Sequence, residues 1–382
     1  MLDNLFIEKI ICQVFSEDLS LTWDNSHDLP LENRFWLISS ANEPRWLVPH
    51  NPKYGLSVLQ QWRPYSTASY LKWQLLLMAY RAGKLHRLPG TIPVGIAAPT
   101  AKYWKCMGYP NEQHLVPTIY IGTPGVTRKA VVSLVNSETN EIASIAKYSL
   151  GRMAEKTILR EADILTHFIA EKPGLSPHLL YVNEQTGISV QTALEGRHVS
   201  KPLAQAHIDL LSSLSRPGIT LSLQQHVDQL NQRLQTLKDR VEVSARQMGE
   251  AVLKQIDDPT PLTATWIHGD FAPWNLKWVD RQRLVAVDWE DARPDGLPLY
   301  DLFHYQYIQS HLLRARKNIL DLTWKHPVVS RYLGFLGIDR LQYNRLALYY
   351  LTDMWIKSLE RNKTADGNFF KQEISYTLQG VL

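Results

Sequence analysis

Residues 266–291 read WIHGDFAPWNLKWVDRQRLVAVDWED. This stretch restricts the fold more than any other. Its short apolar runs at 276–279 and 283–289 flank the polar residues Asp280, Arg281 and Gln282, and so predict a β-hairpin inside an otherwise helical region. Asp270 and Asn275 precede the first run and Asp288 ends the second, so the hairpin would carry all three to one mouth. With 382 residues the chain is too long for one compact core, and two or three packed units are expected around that mouth.

Three regions differ in texture. In residues 1–112, RFWLISS (34–40) and PRWLVP (44–49) predict two short strands around a turn with Asn42 and Glu43. Residues 66–84 predict a helix that Ser66 or Thr67 starts and Gly83 ends. Gly90, Pro93, Gly95, Pro99 and Pro110 make the next stretch loop-like. In residues 113–195, strands are expected at 118–122, 129–136, 142–148, 178–184 and 187–194, with a turn at 136–141 and a helix at about 153–170. Residues 196–382 read as mostly helical. Leu223, Val227, Leu230, Leu234, Leu237, Val241, Ala245, Met248 and Val252 form one apolar stripe of a long helix, which packs on the chain's own core or, alternatively, in a coiled-coil dimer.

Composition excludes several classes. Hydrophobic residues make up 45% and charged residues 20%, ordinary for a globular chain. The net charge of +4 comes without a block of like charges, so neither nucleic acid nor an anionic membrane is implied as a partner. Only two cysteines occur, Cys12 and Cys106. They rule out a disulfide framework and a four-cysteine zinc site, and they suit a cytoplasmic location. Acidic residues interrupt the N-terminal apolar stretch, which therefore does not read as a signal peptide, and no apolar run reaches membrane-spanning length.

The polar set at the hairpin suits phosphoryl transfer. That transition state spreads negative charge over oxygens, which a bound magnesium ion neutralises. Magnesium takes hard oxygen ligands, and Asn275 and Asp288 supply an amide carbonyl and a carboxylate. A separate carboxylate, Asp270, is able to accept the proton of an incoming hydroxyl. Taken singly, each residue also has an ordinary role, as a cap, a turn residue or a strand end. A zinc site using His268 and Asp270 lacks a second histidine at a supporting spacing.

HGDFAPWN (268–275) followed by AVDWED (286–291) resembles the catalytic and metal loops of the aminoglycoside-phosphotransferase and choline-kinase superfamily, whose logic is similar to that of protein kinases. The resemblance assigns Asp270 the catalytic carboxylate, His268 a supporting role in orienting the loop, and Asn275 and Asp288 the metal. PLYDLFHY (298–305) resembles the family's following helix start, with Asp301 as a structural cap. Upstream, Gly122 and Gly125 lie between two strands where backbone amides would approach phosphates, although a plain hairpin turn reads the same. Lys147 matches the strand lysine that reaches the α- and β-phosphates, and Glu161 the helix glutamate that holds it, with Glu155 as a competitor. SVQTALEG (189–196) occupies the linker position, where the backbone of Thr192, Ala193 and Leu194 would face adenine. This chain lacks the acidic-aromatic pair frequent there, and Lys277 stands where an apolar adenine floor is usual.

The resemblance covers residues 113–382 and implies an α+β, bilobal protein-kinase-like fold. Its parts would be an antiparallel-sheet N-lobe (113–195), a helical C-lobe (196–382) and a small α/β extension (1–112). That extension holds Trp23, Trp36, Trp46, Trp62, Trp73 and Trp104, which read as core residues or, less readily, as a partner surface. ATP and Mg2+ are the implied cofactors. The acceptor is expected to be a small hydroxylated molecule. Glu290, Asp291, Asp295 and Asp301 with the aromatic residues Trp274, Trp289, Tyr300, Phe303, Tyr305 and Tyr307 suit a sugar, an aminoglycoside or an amino alcohol, although the same residues also build cores. A nucleotide-binding regulator without turnover and an atypical protein kinase are the alternatives.

Overall fold

The computed structural model describes residues 4–15, 20–23, 29, 33–40, 43–97, 115–194, 196–256, 258–279, 283–313 and 318–381. Asn42, Pro99, Trp104, Cys106, Pro110, Glu195 and the expected hairpin tip at 280–282 lie outside them. The chain divides into two compact units, Met1–His198 with Lys277–Asp280, and Val199–Leu276 with Arg281–Leu382.

The first unit contains α1 (Asn4–Phe15), β1 (Ser20–Trp23), β2 (Arg34–Ser40), β3 (Glu43–Pro49), α2 (Pro52–Gln61), α3 (Thr67–Arg81), β4 (Thr91–Ala97), β5 (Leu115–Ile121), β6 (Lys129–Asn136), β7 (Ile142–Ser149), α4 (Arg152–Glu171), β8 (Leu179–Asn183), β9 (Ile188–Thr192) and β10 (Arg197–His198). Nine of these strands form a single sheet in the order β1-β4-β2-β3-β5-β6-β7-β9-β8. Every neighbouring pair in it is antiparallel. Strands from residues 20–97 and from 115–192 thus share one sheet.

Helix α1 presents Ile7, Ile10, Ile11 and Val14, spaced i, i+3, i+4, i+7, to a core that includes Leu37, Leu47, Ile119, Val132, Ala146 and Val190. Helices α2 and α3 build a second cluster, in which Leu59, Leu77 and Tyr80 meet Ile38 and Val48. Trp23, Trp36, Trp46 and Trp73 pack against these clusters, whereas Trp62 stays 38% exposed. Helix α3 begins at the Ser66 cap, whose hydroxyl accepts the Ser69 amide, and Gly83 follows its end at φ +66°, as expected of those residue types.

The loop expected from Gly90 onward is in part strand β4. Pro93 pairs with Trp36 on β2, and among the described residues the ladder with β1 runs from Val94 to Ala97.

The second unit contains α5 (Gln205–Ser213), β11 (Ser215–Ser222), α6 (Leu223–Thr236), α7 (Val243–Gln255), β12 (Pro261–Ile267), β13 (Leu276–Trp278), β14 (Leu284–Ala286), β15 (Arg293–Gly296), α8 (Tyr300–Leu313), α9 (Ile319–Trp324), α10 (Pro327–Leu336), α11 (Arg340–Glu360) and α12 (Thr364–Val381). Of strand β13, only Leu276 belongs to this unit. The single long helix expected over the 223–252 stripe is in fact two, α6 and α7, which pack on each other. The 3–4 spacing survives because both helices turn it inward, burying Leu223, Val227, Leu230, Leu234, Leu237, Ala245 and Val252 in the chain's own core. Helix α8 is buried along most of its length. Its first residue, Tyr300, donates a 2.6 Å hydrogen bond to the fully buried Asp353 of α11, which Lys357 also pairs at 3.0 Å. No helix among the described residues is long and apolar enough to cross a membrane.

Tyr80 donates to the Pro49 carbonyl at 2.7 Å, and a Cβ added at Gly55 would sit 2.3 Å from that hydroxyl. Gly55→Ala should therefore lower unfolding stability by about 1–3 kcal/mol in urea titrations, mostly by breaking this bond. In Tyr80→Phe the same substitution should cost clearly less.

Candidate active site

The site grows from the end of β12. After Ile267 the chain enters His268 and Gly269, the latter at φ +84°, and a Cβ there would come within 2.6 Å of the Asp291 carbonyl oxygen. Glycine is the residue that fits both constraints. The two amides are tied down from α8, where the buried Asp301 carboxylate accepts from His268 N at 2.7 Å and from Gly269 N at 3.0 Å. Burial pushes the Asp301 carboxyl up, while His268 and these two amides pull it back.

His268 is fully buried. Its Nε2 donates to the Val287 carbonyl at 2.9 Å, which fixes the tautomer, so its Nδ1 accepts the Asp270 amide at 3.3 Å. The ring does not face solvent. It joins the loop before β13 to the residue before Asp288. Asn275 reinforces the same joint, because its backbone carbonyl accepts the Val287 amide at 2.9 Å. The side chain of Asn275 points back, and its Nδ2 donates to the Asp270 backbone carbonyl at 2.9 Å and to Asp270 Oδ2 at 2.8 Å.

Asp270 itself is 41% exposed, and its Oδ1 receives His304 Nε2 at 3.0 Å. Burial alone would raise its carboxyl. His304, chiefly through its hydrogen bond, and then the His268 ring outweigh that and hold it below the ordinary carboxylate range, against an upward push from the nearby Asp288. Asp288 follows β14 with φ +67°, a conformation that Asp tolerates better than most non-glycine residues. Asp270, Asn275, Asp288 and His268 are therefore brought together. His304 was not singled out from the sequence, although it lies one helical turn after Asp301 on α8 and the i, i+3 spacing aims both at the same loop.

In the first unit, Lys147 on β7 meets Glu161 on α4. Its Nζ donates to both carboxylate oxygens, at 2.7 and 2.6 Å, and both residues are buried. The competitor Glu155 lies beside Gly187 instead. Gly122 and Gly125 lie in the β5–β6 turn. The Gly122 amide closes that hairpin onto the Lys129 carbonyl at 2.9 Å, whereas a Cβ at Gly125 would meet open space. Ala193 packs beside Val58, Val135 and Ile142. The Leu194 carbonyl accepts Lys277 Nζ at 3.1 Å, and the same ammonium donates to Gln61 of α2 at 2.8 Å. Burial pushes Lys277 down to about 8.

Residues 145–318, a little under half of the chain, match the sequence pattern of the phosphotransferase enzyme family. The matched segment runs from β7 through α8 and so includes Lys147, Glu161, the 268–275 loop, Asp288 and His304. No curated protein matches the chain. Solved structures similar to it include a thermostable mutant of aminoglycoside phosphotransferase APH(4)-Ia, at 11% identity over 69% of this chain and 94% of that one, with a TM-score of 0.49. The GDP complex of wild-type aminoglycoside 2'-phosphotransferase-IIIa gives 11% identity over 69% and 93%, with a TM-score of 0.46. Choline kinase LicA from Streptococcus pneumoniae gives 14% over 65% and 88%, with a TM-score of 0.43.

Gly269→Ala should destabilise the protein by about 1–3 kcal/mol, read as a lower denaturation midpoint, because strain and the Asp291 contact act together. Lys277 gives a pH signature. Its ammonium is disfavoured in the folded state, where it titrates near 8 instead of 10.5. Relative to Lys277→Met, the wild type should gain stability as pH rises from about 8 to about 10.5, by on the order of 2–3 kcal/mol. Parallel pH profiles for the two proteins would rule out that depressed value.

Proposed function

We propose that this phosphotransferase moves the terminal phosphate of a nucleoside triphosphate, ATP in the first instance, to a hydroxyl of a small acceptor such as a sugar, an aminoglycoside or an amino alcohol. The observation that carries the reading is the Asp270 carboxylate, half exposed yet gripped on both oxygens, in a loop whose backbone Asp301 pins. Such a group is oriented rather than merely present, and orientation is what a hydroxyl-activating base needs. Asp270 would accept the acceptor's proton as the hydroxyl oxygen bonds to phosphorus and the bond to the nucleoside diphosphate breaks.

Asn275 and Asp288 would hold Mg2+. The donor chemistry fits, because the Asn275 amide nitrogen is engaged by Asp270 and the amide oxygen remains as a hard ligand beside a carboxylate. A bound magnesium ion supplies neutralisation of the charge on the phosphate oxygens. Lys147, held by Glu161, would take the α- and β-phosphates, with the Gly122–Gly125 turn alongside and the Ala193–Leu194 backbone at the base. His268 would act by positioning, since both its ring nitrogens are committed to the loop.

The test is a magnesium-dependent transfer assay on kanamycin, hygromycin B, choline and simple sugars, with protein substrates as a control. Asp270→Ala should keep Mg-ATP binding and lose transfer by roughly 100-fold or more, Asp288→Ala should weaken Mg-ATP binding, and Lys147→Ala should chiefly impair nucleotide use. Equal Mg-ATP affinity in wild type and Asp288→Ala would remove the metal assignment. Turnover only on protein would replace the acceptor class, and nucleotide binding without any turnover would make the chain a regulator.

A further inference from the structure

The geometry points to His304 as the positioning residue of the transfer reaction, with Tyr350 as the group that sets its tautomer; this rests on the reading of Asp270 as the base. An ionised carboxylate only accepts hydrogen bonds, so the 3.0 Å contact requires the proton of His304 to sit on Nε2. In the neutral ring Nδ1 is then an acceptor, and the Tyr350 hydroxyl lies 3.4 Å from it. Tyr350 comes from α11 and is fully buried, with its ring packed edge-on against Tyr300 and Phe370. His304 is 3% exposed. Donors therefore run in one direction, from Tyr350 to His304 to Asp270, with no rotatable surface group among the first two.

The consequence is a fixed carboxylate plane. Asn275 alone, on Oδ2, would leave Asp270 free to swing about that contact. The second donor, on Oδ1, comes from another element and closes the swing. Asp301 and His304 share one face of α8, so a single helix sets both the backbone of the loop, at residues 268 and 269, and the side chain of residue 270. A displacement of about 1 Å at a reacting group costs on the order of 100-fold in rate, which makes this second donor a determinant of turnover rather than of nucleotide binding.

The experiment measures steady-state transfer from Mg-ATP to whichever panel acceptor the wild type uses, or to water if it uses none, together with Mg-ATP affinity by calorimetry. His304→Ala should lower kcat by roughly 10- to 100-fold while KM for ATP and the calorimetric affinity stay within about two-fold. His304→Gln, whose amide can donate from near the Nε2 position, should recover at least about a third of wild-type kcat, and Tyr350→Phe should lose about two- to five-fold. Wild-type kcat in His304→Ala, or equal losses in the Ala and Gln variants, would overturn the inference and leave the proposed function standing. A wild type that transfers phosphate neither to an acceptor nor to water would overturn the base assignment itself, and this inference with it.

Discussion

The second unit turns on one buried carboxylate. Asp301 accepts two consecutive backbone amides from the loop that follows β12, and a carboxylate bonded to peptide N–H groups is a strong, directional anchor. Leaving those amides unpaired in a buried setting would be costly, so loop and helix α8 hold each other in one arrangement. The rest of the site follows from that joint. Gly269 takes its left-handed conformation where only a hydrogen fits beside Asp291, and His268 reaches across to Val287. Asn275 closes the other side of Val287, and Asp288 emerges immediately after it.

Polar groups are used differently in the two units. In the first, Lys147 and Glu161 form a buried pair with both carboxylate oxygens engaged. Removing either partner leaves an uncompensated charge, so the pair enforces its own geometry. In the second, Asp270 and Asp353 each draw partners from more than one element. The Asp353 cluster with Tyr300 and Lys357 secures the start of α8 in the same manner. A position fixed from several directions tolerates less drift than one fixed by a single contact.

Much of this was legible in the sequence wherever local pattern and tertiary role coincide. The β-branched runs at 129–136 and 142–148 became β6 and β7, and the Ser66 and Gly83 signals bounded α3. The spacing of 268–275 and 286–291 brought Asp270, Asn275 and Asp288 to one loop cluster. What stayed hidden depended on neighbours. Strand β4 looked like loop because Pro93 and Gly95 are poor strand residues, and its strand form comes from pairing with β2, far off in sequence. Helices α6 and α7 looked like one because a reversal can keep an apolar stripe in phase. Helix α1 has a readable i, i+3, i+4, i+7 face, but only the sheet it covers gives that face a role. The contact from His304 to Asp270 spans 34 residues, and its one local trace is the i, i+3 spacing from Asp301.

The single antiparallel sheet carries one more implication. Strands β1 to β4 continue the sheet beyond β5, and α1 supplies four apolar side chains to the core beneath it. A shortened chain beginning at residue 113 would leave the backbone edge of β5 without its neighbour and strip cover from Ile119 and Val132. Such an edge invites pairing with another molecule, so strands β1 to β4 also shield the rest of the sheet from association.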